Sequence, residues 1–105
     1  MKDRKVSNMG KMDGKIVLIT GGTSGYGKAT AKKLVQEGAV VIITARKQEE
    51  LEQSKIDTGC ADIVKMDVTR FDDWKMTYDF VMEKYGRLDV LVNNAGGGVT
   101  IREVT

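Results

Sequence analysis

Apolar and polar positions along this chain follow two rhythms that take turns. The run Lys15-Ile16-Val17-Leu18-Ile19-Thr20 is short, continuous and β-branched, the pattern of a strand buried on both faces. A glycine-rich stretch, Gly21-Gly22-Thr23-Ser24-Gly25-Tyr26-Gly27, interrupts it. Ala29, Leu34 and Val35 then recur among Lys28, Lys32, Lys33 and Glu37, which predicts an amphipathic helix from about Tyr26 to Glu37, closed by Gly38. The same alternation repeats. Ala39–Thr44 reads as a second strand, Gln48 to about Lys55 as a polar helix and Asp62–Met66 as a third strand. Thr69 and Asp72 form a capping-box variant opening a helix to about Tyr85, with Phe71, Trp74, Tyr78, Val81 and Met82 as its apolar face; aromatics at that spacing read as core. Leu88–Asn93 is a fourth strand. Strands that alternate with helices are parallel and joined by right-handed crossovers, so the fold class is α/β with a doubly wound parallel sheet.

The turn between the first strand and the first helix carries the candidate chemistry. Unpaired backbone N–H groups and the positive end of the helix converge there, which favours an anion such as a nucleotide phosphate. Three glycine codes compete for it. A dinucleotide fingerprint starting at Gly25 and Gly27 fails at Thr30, and a P-loop with Gly22, Gly27 and Lys28 in register fails at Ala29, which has no hydroxyl for magnesium. The remaining pattern, T-G-x-x-x-G-x-G, is filled by Thr20, Gly21, Gly25 and Gly27. Gly21 permits the tight turn, Gly25 lets the backbone approach a pyrophosphate, and Gly27 lets the helix pack close to the sheet. Thr23 and Ser24 offer hydroxyls to the phosphates or cap the helix, and Tyr26 either borders the ligand pocket or covers the helix start, the second reading being preferred.

With this pattern the chain resembles the short-chain dehydrogenase/reductase family, and further segments match in the same order. Asp67-Val68 ends the third strand and Asn93-Asn94-Ala95-Gly96 ends the fourth. The resemblance covers about Lys11 to Gly96. It implies a Rossmann-type sheet in the order 3-2-1-4, truncated after the fourth strand, with Gly21 and Gly96 facing one another across a ligand crevice. It also implies that Asp67 faces an adenine, and that Asn93, Asn94, Ala95 and Gly96 line the cofactor and brace the sheet. Residues 14–105 are then an incomplete nucleotide-binding half-domain preceded by a flexible polar arm, residues 1–13. A strand four without an outer neighbour leaves Leu88–Val92 as an apolar edge prone to self-association.

The end of the second strand bears on the cofactor. An acidic residue there accepts from the 2′-hydroxyl of NAD and repels the 2′-phosphate of NADP. Ala45 stands at that position and Arg46 follows, a guanidinium able to fork two bonds to a phosphate, so NADP is expected ahead of NAD. No basic residue occupies Thr23 or Ser24, where many NADP-using relatives carry one. For catalysis, the resemblance implies a tyrosine with a lysine four residues on, and an upstream serine. Tyr26, Tyr78 and Tyr85 are followed at that distance by Thr30, Met82 and Asp89, so no catalytic residue is assigned. In the family those groups lie after strand four, beyond Thr105. The reading is an NADP-binding part of a reductase that passes hydride between NADP(H) and a small carbonyl or alcohol substrate, and the 105 residues alone are expected to be inactive. A non-catalytic dinucleotide-binding module or redox sensor is the alternative, and a P-loop-like phosphate binder a third. The tail Gly96–Thr100 is expected to begin the substrate pocket wall.

Composition narrows the partners. A net charge of +2, with interspersed signs, gives no argument for nucleic acid. No apolar run approaches the ~20 residues of a membrane span, and Met1–Lys5 is followed by no apolar leader segment, so the cytoplasm is expected. Cys60 is the only cysteine and reads as a small loop residue; with no histidine in the chain, a zinc site is not expected. A homo-oligomeric parent follows from the resemblance alone.

Overall fold

In the computed structural model, which describes residues 12–94 and 100–104, the chain builds one five-stranded sheet in the order β3-β2-β1-β4-β5. Strand β1 (Ile16–Thr20) occupies the centre and leads through helix α1 (Gly25–Gln36) to β2 (Val40–Ala45). Helix α2 (Gln48–Thr58) leads to β3 (Asp62–Lys65), and α3 (Phe71–Tyr85) leads to β4 (Val90–Asn93). The first four strands are parallel, in the expected order.

Why the order reverses at β1 follows from the side chains. Alternate residues of the central strands feed two separate cores. Val17, Ile19, Val41, Ile43 and Val92 pack with Ala31, Leu51 and Cys60 on the face that α1 and α2 cover. Ile16, Leu18 and Ile42 pack with Val81 of α3 on the other face. All five residues of β1 are buried, because only a strand with helices on both sides has no polar face. Two helices on one face and the third on the opposite face send the chain outward to β3 and then back across β1 to β4, opening a crevice at the carboxyl ends of the strands.

Several expectations change. The outer edge of β4 is not bare: β5 (Thr100–Glu103) pairs antiparallel with it, from Val90 opposite Glu103 to Asn93 opposite Thr100. Leu88–Val92 is therefore not the unpaired edge expected of a sheet ending at its fourth strand, and Thr100 belongs to a strand. In α1 Leu34 and Val35 pack against the first core as the periodicity predicts, but Ala29 is exposed and Gly27 and Ala31 are the buried positions. In α3 the buried positions are Thr77 and Val81, while Phe71 is 79% exposed and Tyr78 48% exposed. Trp74 is half-buried and its indole N–H donates to Val68 O at 2.8 Å. The Thr69–Asp72 capping box does not form; Arg70 is the N-cap, without a side-chain bond, and the Asp73 carboxylate accepts from Asp67 N–H at 2.9 Å. Cys60 lies in the loop between α2 and β3, as expected, and its side chain joins the first core, where burial pushes its thiol pKa up.

Candidate functional site

The glycine turn is held in place by the ends of both neighbouring strands. Gly21 N–H donates to Thr44 O of β2 at 2.9 Å, and Gly22 N–H to the same carbonyl at 3.4 Å. From β4, the Asn94 side-chain amide donates to Gly21 O at 3.1 Å. Thr20 completes the lock: its hydroxyl donates to Asn93 Oδ1 at 2.8 Å and accepts from Asn94 N–H at 3.2 Å. Asn93 and Asn94 thus brace the crevice where β1 and β4 diverge.

The glycines of the turn meet different demands. Gly21 and Gly25 sit at φ +71° and +57°, in the left-handed region that L side chains rarely adopt. A Cβ on Gly27 would lie 2.4 Å from Gly21 O and 2.6 Å from Asn94 Nδ2, so the helix reaches the turn only because position 27 has no side chain. Around Gly25 nothing lies within 4 Å of such a Cβ, leaving open space for a ligand to meet the backbone. Ser24, the N-cap of α1, makes no side-chain bond to the helix, and α1 has no acidic residue in its first turn. The first-turn amides and the positive helix end therefore keep their capacity for an anion. Tyr26 is 79% exposed at the start of α1.

Beside the turn, a cleft of about 480 Å³ runs across the carboxyl ends of β1, β2 and β3. Gly21 and Thr23 form one wall, Ala45, Arg46 and Lys47 the next, and Asp67 and Val68 the far side. Ser24, Gly25, Tyr26, Gly27 and Asn93 lie outside this lining, and Ala95 and Gly96 lie outside the described residues. Thr44 also belongs to the lining, and its wholly buried hydroxyl has no hydrogen-bond partner among the described residues. The Asp67 carboxylate accepts from Thr69 N–H at 2.9 Å and Thr69 Oγ1 at 2.6 Å. These bonds, with the nearby charges of Arg46 and Arg70, hold its pKa below the ordinary carboxylate value. Thr23 Oγ1 donates to Glu50 Oε1 at 3.3 Å, tying the turn to the first turn of α2.

One group matters here that the sequence reading left out of the site: Glu50 enters the cleft from a helix read only as polar, and only its contact with Thr23 reveals it. Asn94, which the resemblance sets beside Asn93 at the cofactor, is the direct tie to the turn. Tyr85 stands apart from the cleft. It donates its hydroxyl to Asp62 at the start of β3, the end of the sheet opposite the cleft. Burial and the Asp62 carboxylate push the Tyr85 pKa up to about 12. Among the described residues no helix is long and apolar enough to cross a membrane, and no group of three or more His, Cys, Asp or Glu side chains could hold a metal ion.

Comparison with known proteins agrees with this geometry. The family profile described as short chain dehydrogenase matches residues 15–105. A 3beta-hydroxysteroid dehydrogenase of Mediterraneibacter gnavus is 41% identical over 92 residues, covering 84% of this chain and 33% of that protein. A 3-oxoacyl-[acyl-carrier-protein] reductase of Thermotoga maritima is 43% identical over 90 residues, covering 82% of this chain and 37% of that protein. The crystal structure of a short chain dehydrogenase from Bacillus anthracis superposes with a TM-score of 0.78 at 44% identity, over 82% of this chain and 36% of that one. The chain thus spans about a third of the length of these relatives. On the matched profile, the strand order and the glycine turn, the chain belongs to the short-chain dehydrogenase/reductase family.

Proposed function

We propose that this chain is the cofactor-binding part of an NADP-dependent oxidoreductase whose whole form acts on a small carbonyl or alcohol. The observation that carries the reading is the single cleft joining the glycine turn, the Ala45-Arg46 pair and Asp67-Val68. The residues fit a dinucleotide: open space at Gly25 and an uncapped helix start are what its phosphates would use. Gly21, Thr23, Ser24, Gly25, Tyr26 and Gly27 serve the pyrophosphate side, and Asp67 and Val68 the adenine side. Asn93, with Ala95 and Gly96, serves the nicotinamide side, where the bound cofactor supplies the hydride chemistry.

Arg46 decides the cofactor. It is exposed at the rim of the cleft, and the neighbouring Ala45 brings no carboxylate to repel a 2′-phosphate. The unit so assigned is residues 14–105, with the preceding residues an arm and the parent a cytoplasmic homo-oligomer. Titration of the chain with NADPH and NADH tests the reading. NADPH binds more tightly, and Arg46→Ala weakens NADPH by about tenfold, one charge-assisted bond, while leaving NADH within about twofold. Equal binding of NADPH by the parent and Arg46→Ala would overturn it.

A further inference from the structure

We infer that Lys65, on β3, is a specificity-determining residue that completes a 2′-phosphate pocket with Arg46 and Lys47; the inference rests on the NADP reading above. A second cleft, of about 490 Å³, is lined by Arg46, Lys47, Gln48, Glu49, Glu50 and Lys65. It shares Arg46, Lys47 and Glu50 with the larger cleft, so the two are continuous around the end of β2. The end of β2, where an acidic residue or a cation tells the ribose 2′-hydroxyl from a 2′-phosphate, is therefore the part the two clefts share.

Strand register brings Lys65 to this place. Its Cα pairs with Ala45, and successive residues of β3 alternate between the two cores, Ile63 toward the α1 and α2 side and Val64 toward the α3 side. Lys65 therefore shares a face with Ile63, Ala45 and the start of α2. Ala45 is small, so the lysine meets no bulky neighbour across the strand pair. Three cations from two elements then face two carboxylates, Glu49 and Glu50. Glu50 is already engaged, accepting from Thr23 Oγ1 at 3.3 Å and lying 3.9 Å from Lys47 Nζ. Lys65 and Arg46 form no ion pair with any described carboxylate, so both ammonium and guanidinium remain available to a dianionic phosphate monoester. Glu49 and Glu50 occupy the first turn of α2 and offset its positive end, so the phosphate is left to the three side-chain cations.

The probes are adenosine 2′,5′-bisphosphate and 5′-AMP, which differ only in the 2′-phosphate, titrated against the chain and its Lys65→Met, Lys65→Arg and Arg46→Ala variants. Circular dichroism checks that each variant is folded. Lys65→Met keeps the aliphatic stem and removes the charge. It weakens the bisphosphate by about tenfold, leaves 5′-AMP within about twofold, and is rescued by Lys65→Arg. If Arg46→Ala loses the 2′-phosphate preference and Lys65→Met keeps it, the phosphate belongs to Arg46 alone and the inference fails while the NADP reading stands. If the parent chain binds both probes equally, the NADP reading fails first and takes the inference with it.

Discussion

Gly27→Ala is the sharpest test of how the glycine turn is built, because three effects of known sign compete at one atom. Position 27 lies in the first turn of α1, where alanine is favoured over glycine by roughly 0.5–1 kcal/mol. Against that, the new methyl would stand 2.4 Å from Gly21 O and 2.6 Å from Asn94 Nδ2. Neither is the free end of a flexible chain: one is backbone tied to β2, and the other is an amide already bonded to the same carbonyl at 3.1 Å. Forcing a methyl into such a site costs about 1–3 kcal/mol, and displacing the Asn94 amide adds about 1 kcal/mol. The clash wins, with a net loss of about 1–3 kcal/mol in urea unfolding followed by circular dichroism. Dinucleotide affinity falls as well, since relief of the clash moves Gly21. Asn94→Ala supplies the control. Alone it costs about 1 kcal/mol, and in its background Gly27→Ala costs less than in the parent, because the amide contact is gone and the carbonyl contact stays. A Gly27→Ala chain as stable as the parent, or additive behaviour of the pair, would refute the close packing of α1 on the turn.

Two further outcomes concern the opposite end of the sheet. Tyr85 has its pKa raised from 10.0 to about 12, so the bond to Asp62 stabilises the fold fully below pH 10 and is lost as pH rises from there toward 12. The parent loses on the order of 2 kcal/mol over that window and Tyr85→Phe shows no such step; matching alkaline profiles would disprove the pairing. Asp89 accepts from Ile16 N–H at 2.8 Å and Arg87 Nε at 2.9 Å, and these bonds hold its pKa below 3.8. Its contribution is therefore present above that pH and lost as pH falls through the lowered value. Asp89→Asn lowers stability at pH 7 by about 1–2 kcal/mol and flattens the acid limb of a pH series; a variant with the parent's acid limb would remove Asp89 from the account.

How much of this was legible in the chain depends on whether the signal was local. Strand β1 was readable because a strand covered on both faces must be apolar throughout, and Ile16–Ile19 satisfy that with no reference to anything distant. The glycine turn was readable because its backbone angles at Gly21 and Gly25 demand glycine on the spot. Helical period was readable, and its phase in part: Leu34, Val35 and Val81 pack in the cores as the spacing predicts. Phe71 and Ala29 fit the spacing of an apolar stripe, yet they face solvent, and Thr77 lies inside because its hydroxyl finds Met66 Sδ at 3.1 Å. Strand β5 escaped because its Thr-Ile-Arg-Glu run is exposed throughout and owes its place to pairing with β4.

The cleft shows the same division at finer grain. Ala45-Arg46 announced itself by composition, an absent acid followed by a guanidinium. Lys65 could not, because its relevance depends on which residue of β2 it stands beside. That register is set by apolar alternation along both strands: Ile43 pairs with Ile63 on one face and Thr44 with Val64 on the other. A slip of one residue would turn Ile63 out of its core and send Lys65 to the α3 side, away from Arg46. Core packing therefore places the cation, and whatever part of the cofactor preference Lys65 carries is fixed by the burial of Ile63, not by any motif at the nucleotide site.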